Sequence, residues 1–292
     1  MKEAIIKSLL YTDLYKFTMG NFIHKRYPKV SGAFELICRD KELKLASKLD
    51  ISEVREQLDH VRSLRISNTE RQYLAGLMLE DGKIVSKKSR EWYQSRVLSN
   101  SYTSYLKTFT LPEYNMWVED GNIRIRVEGT WLEASMWETY VMTILASMYT
   151  LTVVRPEEMI SGRGLGKSNL HRKISELEYN PDIKIMEFGT RRCAHPVWQQ
   201  FVLEKLLDEC PDNILGTSNV YLAMKYGIQP MGTMAHELYM MMMGIVMSGA
   251  DRSNWKYELR GIDNRIMSEW EQMYPYDLRI FLPDTFSTEK TL

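Results

Sequence analysis

Three glycine–threonine pairs constrain this chain more than any other feature: Gly189-Thr190 in "EFGTRR", Gly216-Thr217 in "GTSN" and Gly232-Thr233 in "GTMAHE". Each follows a short apolar run and comes shortly before a stretch with helical spacing. "IKIMEF" (183–188), the residues before Gly216, and "IQPMG" (228–232) predict short strands. "PVWQQFVLEKLLDE" (196–209), "NVYLAMKY" (219–226) and the methionine-rich segment after His236 predict helices, with Pro196 tolerated in a first turn. A further helix is expected within 252–273 and a last strand over "DLRIFLPD" (277–284). Strand alternating with helix implies parallel strands, and in that layout the loops at the strand C-termini gather ligand-binding side chains. "DTFST" (284–288) then becomes a fourth such loop. Glycine lets the backbone turn or approach a ligand, while hydroxyls and the following N–H groups suit anionic oxygens. Arg191 and Arg192 add guanidinium groups, which match a carboxylate or phosphate in two-pronged fashion. Together the segments point to one pocket for an anionic small molecule. Taken singly, each also reads as a capped helix start with solvated arginines.

The first half has a different rhythm. "GAFELIC" (32–38) predicts a strand, and 52–108 reads as mostly helical, with Val54, Leu58 and Val61 on one face. "YNMWVEDGNIRIRVEG" places Asp120-Gly121 between two alternating runs, a strong hairpin signal. Residues 131–151 predict one long apolar helix.

Composition excludes several classes. Lys plus Arg and Asp plus Glu both number 38, so the formal net charge is zero and no general attraction to nucleic acid or anionic lipid is expected. The three cysteines, Cys38, Cys193 and Cys210, are scattered without a CxxC pair. That argues against a disulfide framework and a structural zinc site, and suits a reducing cytoplasm. The first residues make a poor signal peptide, and the longest apolar run, Leu238 to Ala250, is too short to span a bilayer. No metal-ligand spacing surrounds the five histidines, and His195 precedes a proline with no partner suggested. "SGRGLGKSN" (161–169) nearly has the spacing of a phosphate-binding loop, but Ser161 stands where the first glycine belongs and no core strand precedes it. A polar connection exposing Arg163 and Lys167 is expected there. His236 has two readings: a histidine packed at the mouth of a buried helix, or a reactive nitrogen at a strand end.

"YTDLYKFTM", "GTWLEASMWE", "EFGTRR", "GTSNVYLA" and "PMGTMAHE", in this order, resemble nicotinate phosphoribosyltransferases over essentially the whole chain. The resemblance implies an α/β fold of the type II phosphoribosyltransferase kind. An N-terminal α+β domain with antiparallel strands (1–130) would precede a helical connection and part of an irregular α/β barrel (131–292). It also implies transfer of the phosphoribosyl group of PRPP to the ring nitrogen of nicotinate, with Mg²⁺ and with ATP as coupling substrate, in NAD salvage. His236 would be phosphorylated by ATP. Phe188 would stack on the pyridine ring, with Tyr15 of a neighbouring subunit of a homodimer on its other face. Arg191 would lie by the ring substituent or new phosphate, Thr233 beside nicotinate, and Asp13 and Asp284 near ribose or ring. Nicotinamide-using relatives resemble this segment but have aspartate at position 218; Ser218 would not repel a carboxylate, which favours the acid. The family's later phosphate-binding segments have no counterpart, and a helix is expected to start after "DTF", capped by Ser287 or Thr288. A fragment, a subunit needing a separate C-terminal chain, and a degenerate non-catalytic copy all stay open.

Overall fold

A computed structural model describes residues 3–40, 42–80, 83–86, 95–153, 165–249, 255–274, 278 and 280–285. Its strands are β1 (Ser31–Leu36), β2 (Leu77–Glu80), β3 (Lys83–Ser86), β4 (Ser95–Arg96), β5 (Tyr114–Glu119), β6 (Asn122–Thr130), β7 (Ile185–Glu187) and β8 (Ile214–Thr217). The hairpin forms where expected. β5 and β6 pair antiparallel with Glu119 opposite Asn122, and Asp120 and Gly121 take φ values of 51° and 75°. Two successive positive φ angles match the twist of the flanking strands, and they suit an Asp-Gly turn. β1 pairs with the other edge of β6, completing an antiparallel sheet in the order β1-β6-β5. Ile123, Ile125 and Val127 of β6 point to the core, while Arg124 and Arg126 alternate to the other face.

The helix Leu14–Arg26 is buried without interruption from Leu14 to Ile23, so it runs through the interior rather than along the surface. It is tied to distant chain by polar bonds: Tyr274 donates to the Thr18 carbonyl at 2.8 Å, and Asn21 donates to the Tyr274 hydroxyl at 2.8 Å. One apolar core joins Phe17, Trp131, Trp137, Tyr140, Leu238 and Trp270, all at most 1% exposed. Sequence-distant segments therefore share one interior.

β7 and β8 pair in parallel, with Ile185 opposite Ile214 and a bulge after it. The helices Pro196–Glu209 and Val220–Tyr226 follow these strands. "IQPMG" contributes only a parallel bridge between Pro230 and Thr217, made by Thr217 N–H to the Gln229 carbonyl and Met231 N–H to the Thr217 carbonyl. The close approach needs Gly216, since a β-carbon there would lie 2.1 Å from the Gln229 carbonyl oxygen.

Several expectations are corrected. The 52–108 segment holds helices Ile51–Ser63, Asn68–Ala75 and Asn100–Tyr105, but also an antiparallel sheet in the order β3-β2-β4. β2 and β3 are too short for their alternation to stand out, although Asp-Gly again separates them in the sequence. The 131–151 helix is two helices, Trp131–Ser135 and Trp137–Val153. The expected 252–273 helix is also two, Trp255–Arg260 and Ile262–Met273, separated by Gly261. From 165 the polar connection is the helix Leu165–Tyr179, with Lys167 in its first turn over the Phe201 ring; Ser161 and Arg163 lie outside the described residues. The methionine-rich helix, His236–Gly249, buries Met242 but leaves Met240 and Met247 exposed, so it packs by one face only.

The described part of 277–284 is not a strand. Its carbonyls are taken by side chains: Leu278 accepts from the Trp270 indole at 2.8 Å and Ile280 from Thr233 at 3.1 Å. A short 3-10 turn, Pro283–Thr285, follows; Ser287 and Thr288 lie outside the described residues. Among the described residues no helix is long and apolar enough to cross a membrane.

Candidate active site

The ends of β7 and β8 are fastened to each other by Glu187. Its carboxylate accepts from Gly189 N–H at 2.6 Å, from Thr217 Oγ1 at 2.6 Å and from the Gln199 amide at 3.0 Å. Burial pushes this carboxyl up, with the Thr217, Gln199 and Gly189 bonds opposing. Asn219 caps the next helix through Leu222 N–H and donates to Thr190 Oγ1 at 3.2 Å. His195, for which the sequence suggests no partner, caps the helix Pro196–Glu209 by accepting from Val197 N–H.

The N-terminal segment lies along this strand end. Asp13 forms an antiparallel bridge with Asn219, and Leu14 N–H donates to the Ser218 carbonyl at 2.8 Å. Asp13 is thereby brought, buried, to the end of β8. Its Oδ1 accepts from Ser218 Oγ at 2.6 Å and its Oδ2 lies 3.6 Å from Arg191 Nε. Burial raises the Asp13 carboxyl, against the bonds from Ser218 and Thr190 and the charge of Arg191. Arg191 donates to Glu138 Oε1 at 2.7 Å and stands over the Tyr15 ring at 5.6 Å. Glu138 also faces Lys16, whose Nζ lies 2.7 Å from Glu138 Oε2 and 2.6 Å from Glu237 Oε2. The Trp131 indole donates to the other oxygen of Glu237 at 2.8 Å. Burial pushes the Glu138 carboxyl up, but Lys16 and Arg191 outweigh it and hold it at about 2. Burial likewise disfavours the charge on Lys16, and Glu237 and Glu138 more than restore it.

A second group sits at the start of the methionine-rich helix. His236 is half-exposed, and its Nε2 lies 2.9 Å from Asp284 Oδ1. The bond from His236 holds the Asp284 carboxyl below its ordinary value, so it is ionised at neutral pH and can only accept. A ring that donates its Nε2 proton to this carboxylate would leave the lone pair on Nδ1.

Of the residues singled out from sequence, Asp13, Tyr15, Arg191 and Ser218 come together, and His236 pairs with Asp284. Phe188 directly follows β7 and has 52% of its surface exposed. Four of these side chains are already engaged within the chain. Ser218 is fully buried and its hydroxyl donates to Asp13. Arg191 is already paired with Glu138 and Asp13. Tyr15, expected to serve a neighbouring subunit, is 5% exposed against Arg191 of its own chain, where burial raises its hydroxyl. Thr233 spends its hydroxyl on the Ile280 carbonyl and has its own carbonyl bonded by Thr18. Lys16, Glu138, Glu187 and Glu237 carry much of the electrostatics but were not singled out. Their one signal is a charged residue inside an otherwise apolar segment. A separate cavity of about 630 Å³, lined by Val246, Tyr257, Glu258, Arg260, Gly261 and Arg265, shares no residue with either group.

Comparison with known proteins agrees with this architecture. Residues 10–146 match the family model for the nicotinate phosphoribosyltransferase N-terminal domain, and residues 183–292 match that of the nicotinate phosphoribosyltransferase family. Among solved structures, the nicotinate phosphoribosyltransferase of Vibrio cholerae aligns over 94% of this chain and 58% of its own, at 24% identity and a TM-score of 0.69. That of Porphyromonas gingivalis aligns over 98% and 66%, at 25% identity and a TM-score of 0.74. A protein of Saccharomyces cerevisiae, described as a candidate for the same activity, aligns over 100% and 67%, at 24% identity and a TM-score of 0.76. The chain thus spans 58% to 67% of the length of these proteins. With both of the family's domain models matched in order and the fold of its solved members reproduced, the chain belongs to the nicotinate phosphoribosyltransferase family.

Proposed function

We propose that this chain binds nicotinate at the end of β7 and serves the transfer of the phosphoribosyl group of PRPP to its ring nitrogen, yielding nicotinate mononucleotide and pyrophosphate for NAD salvage. The observation that carries the reading is the clustering of Arg191, Tyr15 and Asp13 at one strand end, with Phe188 exposed in the segment that leads from β7 to Arg191, in a chain of this family. In the reaction the bond from ribose C1 to pyrophosphate breaks and a bond from the ring nitrogen forms, using the nitrogen lone pair, so no proton need move. Positive character at C1 favours nearby anionic oxygens, a role that Asp13 or Glu138 would serve alongside their present partners. Arg191, held by Glu138, would present its remaining donors to the nicotinate carboxylate or the product phosphate.

ATP coupling is the second part of the proposal. Nδ1 of His236 would attack the γ-phosphorus, the bond to ADP would break, and Asp284 would hold the Nε2 proton. Mg²⁺ would accompany the phosphate groups of PRPP and ATP. Among the described residues no three His, Cys, Asp or Glu side chains converge as a metal-binding group. A homodimer is part of the same reading, although Tyr15 in its own chain already meets Arg191.

A second reading, a binding subunit that turns over only with another polypeptide, is favoured by Met186 and Leu215 lying exposed on β7 and β8, with Phe188 exposed just beyond β7. One assay separates the two. Radiolabelled nicotinate, or nicotinamide in a parallel arm, is incubated with PRPP, Mg²⁺ and ATP, using the chain alone and then with the C-terminal third of a full-length relative. Nicotinate mononucleotide from the chain alone supports catalysis, and product only in the mixture supports the subunit. Binding without product in any arm leaves a binding module. Coupling is read from an acid-labile phosphate on the protein that disappears in His236→Asn; label retained in that variant removes His236 from the mechanism.

A further inference from the structure

The two groups of the site are joined by a lysine that neither needs for contact with a ligand. Lys16 is fully enclosed, its side chain having no exposed surface, and it lies in the first turns of the buried helix Leu14–Arg26. A buried ammonium is costly unless paired and hydrogen-bonded. Here it is paired twice, at 2.7 Å to Glu138 and at 2.6 Å to Glu237. These carboxylates come from opposite sides. Glu138 begins the helix Trp137–Val153 and uses its other oxygen to hold Arg191 at 2.7 Å. Glu237 begins the helix His236–Gly249, directly after the histidine, and uses its other oxygen to accept from Trp131. A continuous line of charge-assisted bonds therefore runs Arg191–Glu138–Lys16–Glu237, and its last member is covalently next to His236.

We propose that Lys16 is a positioning residue that couples the orientation of Arg191 to that of the His236 turn, so that the ring-binding end and the histidine end of the site are set together. The physical reason is that each carboxylate has one oxygen for Lys16 and one for a functional neighbour. Losing the shared cation leaves two part-buried carboxylates without their common partner, and each is then free to rotate towards a different donor. Arg191 would tilt with Glu138, and the first turn of the histidine helix would shift with Glu237. This inference rests on the proposed function for its consequence, and on the bond network alone for the coupling.

The experiment has two independent readouts on the intact chain. The first is thermal unfolding of Arg191→Gln, Glu237→Gln and their double variant, made both with Lys16 present and in Lys16→Met, where methionine keeps the length of the side chain. With Lys16 present the two Tm shifts are expected to be non-additive; in Lys16→Met they become additive. Additivity in both backgrounds overturns the coupling, whatever the protein's activity. The second is nicotinate affinity by calorimetry and His236 labelling by ATP. Lys16→Met is expected to weaken nicotinate binding at least tenfold and to lower labelling. Lys16→Met/Glu237→Gln, which removes one orphaned charge, should recover Tm without recovering either function. Recovery of both together would make Lys16 only a structural counter-ion and overturn the positioning role. If Lys16→Met is too unstable to purify, Lys16→Met/Glu237→Gln is compared with Glu237→Gln, and equal nicotinate affinity and labelling in the two would overturn the positioning role. If the unaltered chain neither binds nicotinate nor takes label, the proposed function fails, and the first readout still decides the coupling.

Discussion

Glu138→Gln tests the electrostatics of the site most directly. The carboxyl is held at about 2, against an ordinary value of 4.5, because Lys16 and Arg191 outweigh the effect of burial. One pKa unit corresponds to about 1.4 kcal/mol, so the shift corresponds to about 3 kcal/mol of preference for the charged, folded state. The side chain is 29% exposed, and solvent screening reduces this to about 2 kcal/mol. The folded value is depressed, so the contribution is complete above 4.5 and is lost as pH falls towards 2. By pH 3.5 about 1 kcal/mol of it should be gone. Glutamine keeps the shape and cannot carry the charge. At pH 7 the variant should therefore be about 2 kcal/mol less stable than the unaltered protein, and the deficit should shrink on acidification. Glu187, whose carboxyl is shifted upwards, titrates in both proteins, whereas Asp13 feels the Glu138 charge and should be shifted up less in the variant. Urea unfolding followed by tryptophan fluorescence from pH 7 to 3.5 measures the deficit. A deficit that stays constant with pH would mean that Glu138 stabilises by packing or neutral hydrogen bonding, and the charge argument would be wrong.

Ser218→Asp places a second carboxylate against Asp13 in a fully buried position. It should cost at least about 2 kcal/mol at pH 7, less in acid where the pair can share a proton, and a neutral effect on Tm would refute the pairing. Gly216→Ala drives a β-carbon to 2.1 Å from the Gln229 carbonyl oxygen, a backbone atom that cannot swing aside. Loss of soluble protein or a Tm lowered by several degrees is expected, and unchanged unfolding would contradict the parallel bridge. Arg191→Ala removes the donor to Glu138 and Asp13 and a charge-assisted contact of about 1.5–3 kcal/mol with an anionic ligand. Calorimetry should show nicotinate binding weakened by about one to two orders of magnitude, and unchanged affinity would remove Arg191 from the pocket.

Which elements were legible in the sequence follows from how local their causes are. Asp120-Gly121 identifies its own turn because few residue types accept two positive φ angles in succession. The helix Pro196–Glu209 is bounded as expected because its first-turn proline and its periodicity act over one or two turns. The apolar run at 277–284 misleads for the opposite reason. Apolar character shows that a segment is covered, not what covers it: Leu278 is buried under a helix, and side chains take carbonyls that a neighbouring strand would have used. The same limit hides β2 and β3, each of four residues, inside a helical region.

In the site, residues beside glycine turns could be picked out because the turn itself advertises a strand end. Their partners could not, because pairing is set by the fold. A lysine one turn into a helix reads from sequence as a solvated charge, yet Lys16 meets a carboxylate 221 positions away. Arg191 likewise reads as a free cation awaiting an anion, whereas Glu138 and Asp13 already neutralise much of it. The consequence is chemical. A cation compensated on one side presents fixed donors rather than net charge, so under the proposed function discrimination between a carboxylate and an amide at this strand end would depend on the direction of the Arg191 N–H groups. That direction is set by Glu138, and hence by the lysine buried behind it.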